Sequence, residues 1–189
     1  MLNLVNLQLM AKNTLPCVQP FHALIYPLSL AEMLQIAKRY AQRAKLNVAL
    51  CENNFKYRTK GKGMRLKVGY VSSNFNNHPI SLFTQSIFGM HDRTKIEVFC
   101  YALTKSDGSE SRLKIEKEAE HFRDVTNLHA IEIAQLIHSD NIHVLINMNG
   151  YIKGARNEIF ALKPAPVQVI SSFVPLSSSF VNEYRRFHF

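Results

Sequence analysis

The sequence has no tryptophan, only seven glycines and three cysteines, and fourteen acidic residues against twenty-three lysines and arginines. Each shortage excludes something. Cys17, Cys51 and Cys100 are odd in number, widely spaced and lack any CxxC pair. That argues against a disulfide framework or a zinc site and predicts buried free thiols in a reducing compartment. The eight histidines do not fall at metal-ligand spacing, so no metal site is expected. No apolar run approaches the roughly 20 residues a membrane-spanning helix needs. The apolar start MLNLVNLQLMAKN has neither a positive leading region nor a small-residue cleavage site and reads as a helix fragment. There is no N-x-S/T sequon, consistent with a cytosolic or nuclear protein. GxGxxG after a strand, GxxxxGK[ST], HExxH and GxSxG are all missing, which argues against nicotinamide or flavin enzymes, P-loop proteins, zincins and serine hydrolases. No cofactor is expected.

What remains is an ordinary globular composition, 47% hydrophobic and 20% charged over 189 residues, enough for one domain with a lead segment. The net charge of +9 is concentrated. Lys38, Arg39, Arg43, Lys45, Lys56, Arg58, Lys60, Lys62, Arg65 and Lys67 are opposed only by Glu52. Such a stretch is either a surface for phosphate, acidic peptide or nucleic acid, or a solvated helix face followed by a charged linker. Only Phe55 and Tyr57 interleave with it, so nucleic-acid stacking is poorly supported.

Three textures follow one another. Residues 1–65 read as a helical lead segment and basic linker. Ser29 and Glu32 form a capping box, followed by Leu30, Met33, Ala37, Tyr40, Ala41 and Ala44 at helical spacing to about Lys45. Residues 66–170 alternate short apolar strands (66–71, 97–103, 122–125, 143–148, 167–170) with helices (79–90, 111–120, 129–138, 157–162). That rhythm predicts an α/β fold, a Rossmann-like parallel sheet covered on both faces, with only about five strands and so incomplete. Residues 171–189, with a serine cluster and then YRRFHF, supply no clear strand–helix unit and read as a divergent tail.

In such a sheet, ligands bind beyond the carboxyl ends of the strands. Two loops lie there. The first, SSNFNNHP, places Pro79 as the first residue of a helix and His78 just before it. His78 is then a base or a ligand-positioning donor. The alternative is that Asn77 or Ser73 caps the helix and His78 is solvated. The second loop, NMNGYIKGARN, carries Lys153 and Arg156 among small residues. It either binds a phosphate or a peptide carboxylate, or is a turn made by Asn149-Gly150 with both cations in water.

These segments carry a resemblance. LKVGYVSS, the Asn77-His78-Pro79 corner, VFCYAL and above all NMNGYIKGARNEIFALKPAPVQ resemble protein O-GlcNAc transferases. Val18 to His22 and Tyr26 to Ser29 are similar to the helical region joining that family's tetratricopeptide repeats to its catalytic lobes. The resemblance spans roughly Val18 to Gln168. It implies the first lobe of a double-Rossmann glycosyltransferase that moves N-acetylglucosamine from UDP-GlcNAc to Ser or Thr of proteins, with inversion and without a metal, in cytoplasm and nucleus. It assigns His78 to proton transfer or peptide contact. Pro79, Asn77, His22, Lys153 and Arg156 are assigned to substrate binding. Most of the nucleotide grip belongs to a second lobe for which this sequence has no counterpart, so UDP-GlcNAc would be met through that missing lobe. Membrane partners are not implied.

The departures matter as much. The family usually has Asp where Asn74 stands, Gly at Asn76, Thr at Ile80, His at Leu82 and a second His at Phe21. After Gln168 the family's Trp-Leu-Gly-Tyr-Pro-Gly stretch is replaced by VISSF. Two readings result: a fragment of the transferase, inactive alone, or a non-catalytic remnant or binding module. An unrelated basic RNA-binding α/β protein is the third.

Overall fold

A computed structural model describes residues 2–11, 14–51, 55–58 and 61–170. The divergent tail at 171–189 lies outside them.

The lead segment is three helices, α1 (Leu2–Met10), α2 (Pro20–Ala23) and α3 (Leu30–Asn47). The capping box forms: the Glu32 amide donates to Ser29 Oγ, and the Ser29 amide donates to the Glu32 carboxylate at 2.7 Å. The apolar stripe of α3 buries Ile36 and Ala37 in a small core with Val5, Leu9, Val18, Ala23 and Leu28. Arg39, on the flank of that stripe, reaches the carbonyls of Gln8, Leu9 and Thr14. It thereby satisfies the last carbonyls of α1, which the helix itself cannot.

The remainder is a doubly wound lobe. Its elements are β1 (Leu66–Ser72), α4 (Pro79–Thr84), α5 (Ile87–Met90), β2 (Ile96–Ala102), α6 (Glu110–Glu118), β3 (His121–Asp124), α7 (Ala130–Ser139), β4 (Val144–Asn147), α8 (Asn157–Ala161) and β5 (Val167–Ile170). All strand pairs are parallel, in the order β3-β2-β1-β4-β5. The central strands alternate between two cores, as a parallel sheet buried on both faces must. Val71, Phe99, Tyr101 and Leu145 meet Ile133 and Ile137 of α7 and Ile159 and Phe160 of α8. Val68, Tyr70, Val98 and Cys100 meet Phe88 of α5 and Ile115 of α6. The lead segment docks through α3 against α8.

Three expectations need correction. The helix expected over 79–90 is two helices. Thr84 Oγ1 donates back to the Ile80 carbonyl at 2.8 Å, a bond that competes with helix propagation, and the chain turns at Gln85 and Ser86. Of the three thiols, Cys100 is buried, Cys51 is half-buried and Cys17 is exposed, because Cys17 falls in the connection before α2 and not on a core face. The basic stretch is also less uniform than its composition implies. Arg65 pairs with Glu120 and Glu97, and Lys67 with Glu97, at the amino ends of β1 to β3.

No helix of the described residues is long and apolar enough to cross a membrane. Exposed apolar side chains include Leu82 and Phe83 on α4 and Val167 and Val169 on the edge strand β5.

Candidate active site at the switch point of the sheet

The strand order reverses between β1 and β4. From β1 the chain winds outward through β2 and β3, whereas β4 and β5 build the other side. The loops leaving β1 and β4 therefore diverge and open a crevice at the carboxyl edge. The two loops singled out from sequence are these two.

Their bases are locked together. The Ser73 amide donates to Asn149 Oδ1 at 2.8 Å, and Asn149 Nδ2 donates to Ser73 Oγ at 2.8 Å, both residues buried. Asn147 Oδ1 accepts from the amides of Asn149 and Gly150, each at 3.0 Å. Its Nδ2 donates to Asn157 Oδ1, and Asn157 Nδ2 donates to the Gly150 carbonyl, each at 2.9 Å. Gly150, at φ 55°, makes the expected turn. The β4–α8 loop is thus shaped by three asparagine side chains supplying both donors and acceptors.

The corner after β1 is held from the opposite side. Asn76 Nδ2 donates to Thr104 Oγ1 and the Lys105 carbonyl, and the Asn77 amide donates to Asp107 Oδ2 at 2.8 Å. That bond, with the hydroxyl and amide of Ser109, pulls the Asp107 carboxyl down to about 2. Beneath lies Arg112, buried to 1% exposure. Its guanidinium donates to the carbonyls of Phe75 and Thr104, pairs with Glu116 at 2.6 Å, and lies 4.5 Å from the Phe122 ring centroid. Arg112 ties the loops after β1 and β2 into one body. Sequence reading missed it as one charge among many on a charged helix; the Ser109 cap that turns it inward was the available signal.

His78 is itself the cap of α4. Its Nδ1 accepts from the Ile80 amide at 3.2 Å, and Pro79 is the first helical residue as expected. Neither Asn77 nor Ser73 takes that role. With Nδ1 engaged as an acceptor, a neutral ring carries its proton on Nε2. The half-buried His78 thus presents a donor outward. Asn74 is buried behind it, accepting from Ser73 Oγ at 3.2 Å, while its Nδ2 lacks a partner among the described residues. An amide there cannot take up a proton at neutral pH.

The other expected site residues are distributed around this corner. Lys153 joins the assembly through its carbonyl, which Ser73 Oγ approaches at 3.4 Å, and its side chain is exposed. Arg156 donates to the Leu128 carbonyl at 2.8 Å and so braces the loop against the start of α7. His22 stands exposed on α2 with its ring edge-on to Phe21. At the far edge of the sheet, Glu97, Glu120 and His121 converge closely enough to hold a cation. Their charge is already engaged by Arg65, Lys67 and Arg93.

Fold and crevice define a Rossmann-like lobe with a ligand site at its switch point. The model of glycosyl transferase family 41 matches residues 1–182, and the chain belongs to that family. It is 46% identical over 164 residues to a probable UDP-N-acetylglucosamine–peptide N-acetylglucosaminyltransferase of Arabidopsis thaliana (SEC), covering 83% of this chain and 17% of the relative. It is also 46% identical over 183 residues to the UDP-N-acetylglucosamine–peptide N-acetylglucosaminyltransferase of Caenorhabditis elegans, covering 89% and 15%. A mutant O-GlcNAc transferase from Thermobaculum terrenum shares the fold with a TM-score of 0.59 and 26% identity, covering 71% of this chain and 26% of that one. The chain therefore spans a minor part of the length of the relatives it matches.

Proposed function

We propose that this chain forms part of the catalytic region of a protein O-GlcNAc transferase, moving N-acetylglucosamine from UDP-GlcNAc to Ser or Thr hydroxyls of intracellular proteins. The family match over residues 1–182 carries this reading. The expected chemistry is inverting and metal-independent, in cytoplasm or nucleus, with the nucleotide gripped by a second lobe.

In this reading, Asn77, His78 and Pro79 frame the acceptor. As the new glycosidic bond forms, the acceptor hydroxyl loses its proton and the nucleotide diphosphate departs with the bonding pair. His78, with Nδ1 held by the Ile80 amide, meets the acceptor as a hydrogen-bond donor through Nε2. It could accept the proton at Nε2 only after losing the one already there. Positioning is thus favoured over proton transfer. Lys153 offers the exposed cation on the opposite loop, and Arg156 holds that loop in place. His22 would meet substrate from the helical lead.

A second reading, a non-catalytic relative, is favoured by Asn74 and Ile80 standing where the family usually has Asp and Thr. A chimera separates the two. Residues 66–170 replace the equivalent segment of the Caenorhabditis elegans relative, and sugar transfer to an acceptor peptide is measured. Retained transfer that falls at least tenfold in H78A supports the catalytic reading. A folded, inactive chimera that regains transfer with N74D and I80T supports the non-catalytic one.

A further inference from the structure

A groove of about 290 Å³ separates the helical lead from the β4–α8 loop. Leu15, Pro20 and Tyr40 form one wall, and Tyr151, Ile152 and Ala155 the other. Tyr40 and Tyr151 meet edge to face with centroids 6.4 Å apart. Two cations line it from opposite sides, Arg43 from α3 and Lys153 from the loop, both exposed.

These two differ from their neighbours. Arg39 is committed to α1 carbonyls, Arg156 to Leu128, and Arg65, Arg93 and Arg112 to carboxylates. No hydrogen bond or ion pair among the described residues engages the side chain of Arg43 or Lys153. Glu158 is the sole acid lining the groove, and its carboxylate accepts from Asn47 at 3.1 Å. The groove thus combines apolar walls with an uncompensated positive pair.

We propose that this groove binds an acidic peptide segment, a carboxylate side chain engaging Arg43 and Lys153 while a neighbouring apolar side chain lies between Tyr40 and Tyr151. Isolated cations flanking an apolar cleft suit alternating acidic and apolar side chains. A nucleic-acid backbone would call for a continuous basic track with exposed aromatic faces. Binding here would also reach the crevice. The Lys153 carbonyl lies against Ser73 Oγ, and Gly154 packs on the same side chain. The proposal does not rest on the transferase reading, because it concerns binding by this chain alone.

The test is an NMR titration of the ¹⁵N-labelled 189-residue chain with an acetylated peptide of alternating aspartate and leucine. Shifts should appear at Arg43 and at residues 151–155, and weaken as salt rises. R43E/K153E should weaken binding at least tenfold, with K56E/K62E within twofold of the parent. R43Q/K153Q, which keeps side-chain size, should also weaken it if the charge reversal perturbs the fold. Equal binding of a lysine–leucine peptide, or no effect of either double variant, would overturn the proposal. So would tighter binding of a single-stranded oligonucleotide at the same residues, or no shift with any peptide.

Discussion

Ser73 and Asn149 exchange hydrogen bonds across the switch point, amide to Oδ1 and Nδ2 to Oγ, each 2.8 Å long. Seventy-six positions apart in sequence, they join the carboxyl ends of β1 and β4. Replacing Asn149 with Ala orphans a buried amide and hydroxyl. The expected loss is roughly 1–3 kcal/mol. At about 2–4 °C per kcal/mol for a chain of this size, the melting temperature should fall by several degrees. An unchanged melting temperature in N149A would mean water replaces the side chain.

Gly154 offers a sharper contrast. It sits at φ 85°, and an added Cβ would lie 2.7 Å from Ser73 Oγ and 2.9 Å from Ser73 Cβ. Gly63 has a similar φ of 83° with nothing within 4 Å. G63A should therefore cost only the left-handed backbone strain, about 1–2 kcal/mol. G154A adds overpacking of roughly 1–3 kcal/mol. Chemical denaturation of the two variants side by side measures the difference, and equal losses would show that the Ser73 contact yields freely.

Arg112 underlies the His78 corner without touching it. R112M removes the donors to the Phe75 and Thr104 carbonyls and should destabilise the chain by roughly 1–3 kcal/mol. Glu116 and Asp124, at 35% and 49% side-chain exposure, can hydrate and limit the loss. R112K keeps the charge without the planar fork and should recover only part of it. Ring ¹⁵N shifts of His78 give a second readout: loosening of the corner should weaken the Ile80 amide bond to Nδ1.

Asp107 should make the same corner acid-sensitive. Its folded value of about 2 lies below the roughly 3.9 of an unfolded aspartate, so the chain gains stability by keeping it ionised. That contribution is full above pH about 4 and is lost as pH falls through about 2. The Asn77 amide resonance should titrate with a midpoint near 2. In D107N this transition should vanish, and its persistence would assign the shift to another group.

Sequence periodicity revealed much of the fold because it is written locally. The capping box at Ser29 and Glu32, the apolar strands and Pro79 at a helix start each depend on neighbours within a few residues. The break between α4 and α5 did not show, since Ser81, Thr84 and Phe88 are buried at spacing that suits one continuous helix. Both loops of the site were legible as loops after buried strands. Their inner workings were not: Asn147, Asn149 and Asn157 read as turn formers, whereas their amides form the framework of the crevice.

The sequence by itself determined the class of fold, the lead helix, the order of strands and helices, and the place of His78 before Pro79. Those follow from side-chain period and backbone restriction, which act over one or two turns. Only the tertiary structure decided that His78 caps α4 through Nδ1, that Arg112 is buried under the corner, and that Arg39 and Arg65 are committed while Arg43 and Lys153 are not. A charge becomes a brace or a site according to which carbonyls and carboxylates the folded chain brings within hydrogen-bond reach, and those partners lie tens of residues away in sequence.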